Sequence, residues 1–298
     1  MMITPTTCVE ELNDALALLD QGFSERTVDI DGGVVSYRTS KSGGGGLPIV
    51  LLHGIGSGAA SWLQCSAALQ QTLETASQVI AWNAPGYSNS SPLPMARPSA
   101  ADYAWRLEQF LQALDLSGCL LVGHSLGAMM ASAYIAAGYG RVSELVLLSP
   151  AQGYGSDQKR LCGQEIAQQR LDALRSVGVD GIALKSSERV LSAQASAFSH
   201  AWVKWNTQKL IPAGYEQAVH MLCGDDIHRY LPARLTAAVY CGDADVVTSA
   251  EESRILAENY QLPFQLIDNA GHACYVEQPA LVAGVIRRHF INLSKKKS

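Results

Sequence analysis

Two patterns of apolar and polar positions alternate along much of this chain. Short, unbroken apolar runs recur between longer stretches in which apolar residues return at helical spacing. The runs are LPIVLLHG, QVIAWNAPG, CLLVGHS and SELVLLSP. Unbroken apolar strands are typical of a parallel sheet that is covered by helices on both faces. The alternation therefore predicts a doubly wound α/β domain.

The first residues depart from this alternation. An amphipathic helical pattern comes first, and the segments RTVDI and VVSYRTS then flank a turn at Asp31-Gly32-Gly33. Two short strand patterns around a glycine turn predict an antiparallel hairpin.

A second departure lies in the middle of the chain. The alternation stops at Pro150 and resumes near Leu235, with the strand patterns LTAAVYCGDAD and PFQLIDNAGH following. The residues between show helical patterns and few strand signals. We therefore predict an α/β core formed by residues 1–150 and 234–298, and a helical cap inserted at 151–233.

Composition narrows the class of protein. The chain has 298 residues, of which 48% are hydrophobic and 16% are charged, with a net charge of -5. No basic surface pattern suggests nucleic-acid binding, and no apolar stretch approaches the roughly 20 residues that a membrane span needs. The start lacks the pattern of a secretory signal. We expect a small-molecule substrate as partner, while the oligomeric state, monomer or homodimer, stays open.

The cysteine pattern indicates which cellular compartment to expect. The seven cysteines are odd in number, widely spaced and without a CxxC pair. This pattern argues against a disulfide framework and against a thiolate metal site. A reduced, cytoplasmic protein is the resulting expectation.

The candidate nucleophile is Ser125, at the centre of GHSLG, where a predicted strand runs directly into a predicted helix. Glycines two positions before and after the serine would relieve crowding in such a tight turn. The helix N-terminus would favour negative charge that develops at the serine. A glycine-rich connection without chemistry remains the alternative for this motif alone.

A serine nucleophile needs a base and a group that orients the base. His272, in DNAGHAC after the last strand pattern, is the best-placed histidine. His124 is adjacent to the serine, but we expect it to point away around the turn. GDADVV supplies Asp243 and Asp245, and we choose Asp245 as the catalytic acid because its turn would carry it over the strand end, with Asp243 stabilising the turn.

The order Ser125, Asp245, His272 is that expected of an α/β serine hydrolase, with each residue following a strand. An oxyanion hole requires two further donors. The backbone N–H groups of Ile55, in HGIGSG after the third strand, and of Leu126, after the serine, are the candidates.

At this point the chain resembles the α/β-hydrolase family. LLHGIGSGAASW, WNAPGYSNSSPL, LVGHSLGAMMA, GDADVV and NAGH occur in the family's order, over residues 27 to 292. The resemblance implies a mostly parallel, eight-stranded sheet, a helical cap after the sixth strand, and neither a metal nor an organic cofactor. It also implies acyl transfer to water through Ser125, Asp245 and His272.

The resemblance leaves the substrate open. A serine at position 125 is similar to esterases, lactonases and C–C bond hydrolases, and we expect a small to medium, mainly apolar carboxylic ester or lactone. HGIGSGAASW also has some similarity to hydrolases of vinylogous diketones, which place tryptophan after the catalytic histidine where this chain has Ala273. A ligand-binding receptor on the same fold is the third hypothesis, and the complete triad argues against it.

Several large side chains are candidates for an apolar substrate pocket. Those of the cap could equally pack the cap onto the core, and Trp62 could fill the core itself. The candidates are Trp62, Phe198, Trp202, Trp205 and Met221.

Overall fold

The computed structural model describes residues 5–40, 46–73, 77–231 and 236–296. One eight-stranded sheet runs through this part of the chain, with strand order β1-β2-β4-β3-β5-β6-β7-β8. The strands are β1 Phe23–Ile30, β2 Gly33–Ser40, β3 Ile49–Leu52, β4 Val79–Trp82, β5 Cys119–His124, β6 Val142–Leu148, β7 Ala237–Gly242 and β8 Phe264–Ile267. The predicted α/β class is thereby confirmed.

The sheet is antiparallel at one edge and parallel elsewhere. β1 and β2 form the predicted hairpin, with Phe23 opposite Ser40 and Ile30 opposite Gly33. β2 also pairs antiparallel with β4, while β3 to β8 run parallel. Because the parallel strands point the same way, their C-terminal ends lie along one edge of the sheet.

Helices precede, connect and follow the strands of the sheet. They are α1 Pro5–Gly22, α2 Leu63–Thr72, α3 Ala100–Ala113, α4 Leu126–Ala137, α5 Arg160–Val190, α6 Ala197–Thr207, α7 Pro212–Gly224, α8 Ala250–Asn259, α9 Cys274–Glu277 and α10 Pro279–Lys296. Within the described ranges, none of these helices has both the length and the apolarity that crossing a bilayer requires.

Burial on both faces explains the unbroken apolar runs. In β3, Ile49 and Leu51 belong to one apolar cluster, whereas Val50 and Leu52 belong to a second cluster on the other face. All four side chains are fully buried. Burying such a side chain contributes about 1.5–3 kcal/mol, so the short strands are stabilised by both helical layers.

Helices α5, α6 and α7 lie between β6 and β7, where helical patterns were predicted. Met221 of α7 packs in one apolar cluster of the sheet, and Trp202 of α6 packs in the other. α7 also approaches the loop after β4 so closely that a Cβ on Gly214 would lie 1.9 Å from the Gly86 carbonyl oxygen. The predicted boundary between residues 233 and 234 falls outside the described residues.

Candidate active site

The turn at Ser125 is as tight as a strand-to-helix connection can be. β5 ends at His124 and α4 begins at Leu126, so Ser125 alone joins them, with φ 52° and ψ -117°. A positive φ in a residue other than glycine costs about 1–3 kcal/mol. The Ser125 N–H donates to the Leu148 carbonyl at 3.0 Å, and its carbonyl accepts from the N–H groups of Ala128 and Ala151. These backbone hydrogen bonds hold the serine in the strained conformation.

The flanking glycines are required by close backbone contacts. A Cβ on Gly123 would lie 2.6 Å from the Gly127 carbonyl oxygen. A Cβ on Gly127 would lie 2.6 Å from the Leu52 carbonyl oxygen and 2.8 Å from that of His53. The two glycines therefore let α4 pack directly against β5 and the end of β3.

His272 and Asp245 are brought into direct contact. The His272 Nδ1 atom lies 2.9 Å from Asp245 Oδ2, and both side chains are buried. The other carboxylate oxygen, Oδ1, accepts hydrogen bonds from the N–H groups of Val247 at 2.8 Å and Thr248 at 3.0 Å. The Thr248 hydroxyl lies 3.1 Å from Asp245 Oδ2 and 3.1 Å from His272 Nδ1. The carboxylate is thus fixed by its own turn while it faces the imidazole.

Asp243 lies in a different environment. Its Oδ1 accepts a hydrogen bond from the Ala270 N–H at 3.1 Å, in the turn that leads to His272. Asp243 therefore contacts the backbone of the turn, whereas Asp245 contacts the imidazole.

Electrostatics keep Asp245 ionised. Burial raises the pKa of its carboxyl, but the hydrogen bond and charge of His272 and the N–H groups of Thr248 and Val247 lower it more strongly. The net result is a pKa well below the ordinary value of an aspartic acid. An ionised carboxylate is only an acceptor, so we assign the shared proton to His272 Nδ1. This tautomer leaves His272 Nε2 without a proton and able to accept one.

His124 does not point away from the site, which corrects that expectation. Its Nε2 donates to the His272 carbonyl oxygen at 2.8 Å, and the two ring centroids are 4.8 Å apart. Burial, followed by the charge of His272, lowers the pKa of His124 to about 3. Neutral His124 therefore holds the backbone of His272 through this hydrogen bond, although β5 and β8 are separated in the sheet by β6 and β7.

The two candidate oxyanion donors flank the serine. Leu126 is the first residue of α4, and the first N–H groups of a helix have no partner within it. The loop after β3 abuts the serine, since a Cβ on Gly54 would lie 3.0 Å from Ser125 Cβ. The next residue, Ile55, is fixed through its carbonyl, which accepts from the Tyr87 hydroxyl at 2.6 Å.

A cavity of about 560 Å³ is lined by residues from two parts of the chain. We call the cavity residues that follow the strands the strand wall; it contains Gly54, Ile55, Ser125, Val247, Thr248 and His272. We call the cavity residues of α5 the α5 wall; it contains Cys162, Gln169, Arg170, Ala173, Val177, Gly181, Ile182, Lys185, Ser186, Arg189 and Val190. Apart from Cys162, these α5 residues recur every three or four positions in each half of the helix, which bends at Gly178 with φ 63°.

The five candidate pocket side chains lie elsewhere, which corrects the expectation that they line the pocket. Trp62 is fully buried and stacks on Tyr275 with ring centroids 3.9 Å apart. Phe198, Trp202 and Trp205 stack in series along α6, and Met221 is buried in the apolar cluster on the α4 face of the sheet. These side chains pack the helical segment and the core, because their large apolar surfaces are more stable buried than facing an open cavity.

Sequence analysis missed several residues of the cavity. Tyr275 lines it, and its hydroxyl lies 3.0 Å from Ser61 Oγ and 3.2 Å from Ser57 Oγ, both of which also line it. No sequence pattern links these three residues. The basic side chains of the α5 wall could have been found, because they recur at helical spacing.

Comparison with known proteins places the chain in a family. A sequence profile described as the alpha/beta hydrolase family matches residues 49–285. The chain belongs to this family, and the predicted resemblance is confirmed.

The relatives carry different names. A 2-hydroxy-6-oxononadienedioate/2-hydroxy-6-oxononatrienedioate hydrolase of Pseudomonas putida is 36% identical over 115 residues, which span 38% of this chain and 40% of that protein. The match thus covers less than half of that relative. A proline iminopeptidase of Heyndrickxia coagulans is 25% identical over 89% of this chain and 97% of its own length.

Solved structures share the fold. An enol-lactonase from Burkholderia xenovorans LB400 superposes with a TM-score of 0.77 at 18% identity, over 90% of this chain and 100% of that one. A thermophilic esterase from Thermogutta terrifontis superposes with a TM-score of 0.75 at 22% identity, over 91% and 99%. At these identities the likeness extends to the fold alone.

Proposed function

We propose that this protein is a serine hydrolase that cleaves a small to medium, mainly apolar carboxylic ester or lactone. One observation carries the proposal: His272, which contacts the buried Asp245 at 2.9 Å, lines the same cavity as the strained Ser125. A base, its orienting carboxylate and a hydroxyl at a helix N-terminus are the parts that acyl transfer needs.

The reaction follows from these parts. His272 Nε2 takes the proton of the Ser125 hydroxyl as the serine oxygen attacks the carbonyl carbon. The imidazolium is stabilised by ionised Asp245, and it then protonates the leaving alcohol as the acyl-enzyme forms. Water repeats the sequence on the acyl-enzyme, with His272 again as base, and releases the carboxylic acid and the free serine.

The tetrahedral oxyanion needs donors that are in place before the reaction. We assign this role to the N–H groups of Ile55 and Leu126, because both flank Ser125 and belong to backbone that is already held. Removing one such donor costs about 3 kcal/mol of transition-state stabilisation in comparable sites.

Helices α5 to α7 act in this proposal as a cap over the strand ends. The cavity supports this role, since α5 supplies many of the residues that line it together with Ser125. The names of the structural neighbours, an enol-lactonase and an esterase, fit the proposed substrate class.

The direct test measures hydrolysis of 4-nitrophenyl esters of increasing acyl length and of lactones by the wild type and Ser125→Ala. We expect kcat to fall by roughly 10⁴- to 10⁶-fold in the variant while the melting temperature is retained. A fluorophosphonate probe should label the wild type at Ser125 and leave the variant unlabelled. Equal turnover by the two proteins on every substrate would overturn the nucleophile assignment.

A second candidate is C–C bond hydrolysis of a vinylogous diketone. It is favoured by the 36% identity to the 2-hydroxy-6-oxononadienedioate hydrolase of Pseudomonas putida. Turnover of 2-hydroxy-6-oxononadienedioate should be measured beside that of the esters. A kcat/KM for this diketone well above the value for every ester would select the second candidate. Tight binding of substrates without turnover, unchanged in Ser125→Ala, would instead indicate a receptor.

A further inference from the structure

The charged residues of the α5 wall all have one sign. Arg170, Lys185 and Arg189 line the cavity from α5, and Lys159 lines it from the position before the helix. The one carboxylate among the lining residues that the structure describes is Glu252. Its Oε2 already accepts hydrogen bonds from the N–H and hydroxyl of Ser249 at the start of α8.

The acidic residues of α5 lie on its other faces. Glu165, Asp172, Asp180 and Glu188 are absent from the cavity lining. Asp172 contacts Arg175 at 3.4 Å, and Asp180 accepts from the Gln208 side chain at 2.9 Å. The helix therefore places three of its five cations, and none of its carboxylates, in the lining of the cavity.

Arg170 and Arg189 have no carboxylate partner among the residues that the structure describes. Neither takes part in a described ion pair, although Arg160 and Arg175 of the same helix do. Arg170 is half-buried, and its described hydrogen bond is to the neutral hydroxyl of Tyr215 at 3.3 Å. Guanidinium groups in such a position have unused donors that match a carboxylate or phosphate.

The two guanidinium groups also repel one another. Burial is the largest cause that lowers the pKa of Arg189, and the positive charge of Arg170 is the next. An anion between them would remove this repulsion and use the free N–H donors. The positive charges of Arg170 and Arg189 on the α5 wall thus lack a described carboxylate partner, whereas the strand wall carries Ser125 and His272.

We propose that Arg170 and Arg189 form an anion subsite, which binds a carboxylate or phosphate group at the end of the substrate that does not carry the scissile carbonyl. This inference rests on the proposed hydrolase function and names its substrate class. Apolar side chains such as Ala173, Val177 and Ile182 lie along the same wall, so the substrate has an apolar chain between its two ends.

The test compares two esters with acyl chains of equal length. Mono-4-nitrophenyl adipate carries a terminal carboxylate, and 4-nitrophenyl hexanoate ends in a methyl group. We expect the wild type to prefer the adipate ester by at least 10-fold in kcat/KM, mainly through KM. The double variant Arg170→Gln/Arg189→Gln should lose this preference, so that its kcat/KM values for the adipate and hexanoate esters become equal within about two-fold.

Arg175→Gln is the matched control, since Arg175 belongs to the same helix but lies outside the cavity, and it should leave both esters unchanged. The 4-nitrophenyl ester of 5-phosphonopentanoate distinguishes the two anions: a higher kcat/KM than for the adipate ester assigns the subsite to phosphate, and a lower one assigns it to carboxylate. Added salt should weaken the preference for the anionic esters and leave the hexanoate unaffected.

The two proposals fail differently. Equal kcat/KM for the adipate and hexanoate esters, in both the wild type and the double variant, would overturn the anion subsite while hydrolysis stands. If no ester is cleaved, calorimetric titration with monomethyl adipate still tests the subsite. Binding that is lost in the double variant and kept in Arg175→Gln supports it, and binding that is equal in all three proteins or absent overturns it.

Discussion

The two walls of the cavity are built in opposite ways. The strand wall is held by backbone: Ser125 has a strained φ, its N–H and carbonyl are both bonded, and Gly127 packs against the end of β3. The α5 wall presents long side chains, including Lys185 and Arg189, from one helix.

This difference separates two tasks. Reacting groups must be held to within a fraction of an ångström, and backbone hydrogen bonds with buried side chains provide that rigidity. Selection among substrates needs charge and shape, which individual side chains on a helix can supply. We therefore expect changes in the strand wall to affect turnover and stability, and changes in the α5 wall to affect the choice of substrate.

The largest expected effect is on kcat, and it should distinguish the two aspartates that follow β7. Asp245→Asn should lower kcat by roughly 10⁴-fold, because an amide can hold His272 in the wrong tautomer and does not stabilise its positive form. Asp243→Asn should change kcat by less than about 10-fold, since Asp243 contacts backbone and not the imidazole. Steady-state kinetics on one ester measures both, and a larger loss in Asp243→Asn would exchange their roles.

The next effect concerns two glycines of the strand-end region. Gly127→Ala should destabilise the protein by about 3 kcal/mol, because its Cβ would meet two backbone carbonyl oxygens that cannot move independently. Gly56→Ala should change the free energy of unfolding by less than about 0.5 kcal/mol, since a Cβ there meets no atom within 4 Å. Urea denaturation gives both values, and similar losses would contradict the close backbone packing at Gly127.

The smallest expected effect is on the pH dependence of the free energy of unfolding. His53 donates from Nδ1 to the Gly54 carbonyl and accepts at Nε2 from the Ala84 N–H, which requires the neutral ring. Burial lowers its pKa to about 4, while the bond to Gly54 acts in the opposite direction. The unfolded chain therefore binds a proton first as the pH falls from about 6.5, so stability decreases with falling pH until the folded pKa is reached.

His53→Gln removes this titration. Between pH 6.5 and 4, the free energy of unfolding of the variant should fall less steeply than that of the wild type, by about 1 kcal/mol per pH unit. Denaturation at a series of pH values measures the slopes. Parallel slopes would mean that His53 is equally protonated in the folded and unfolded states, contrary to its buried hydrogen bonds.

Much of the architecture follows from local sequence. Unbroken apolar runs predicted the parallel strands, because a strand covered on both faces has no polar side. The hairpin around Asp31–Gly33 followed from strand and turn patterns alone. The motif around Ser125 predicted a tight turn, and the contacts of Gly123 and Gly127 give its physical reason.

Other features depend on residues that are distant in sequence. The direction of His124 is set by the His272 carbonyl, 148 positions away, so local turn geometry misjudged it. The aromatic residues of α6 were candidates for a pocket, yet they stack with one another and against the core. Hydrophobicity indicates that such side chains are buried, but it does not say whether a core or a cavity buries them.

The sequence by itself determined the fold class and the three candidate residues Ser125, Asp245 and His272, in that order along the chain. Short-range patterning is sufficient for this, because it encodes strands, turns and their ends. Only the tertiary structure decided that His124 contacts the backbone of His272 and that Arg170, Lys185 and Arg189 of α5 line the cavity. The physical reason is that side-chain contacts and charge balance are properties of packed surfaces, which form when distant segments meet.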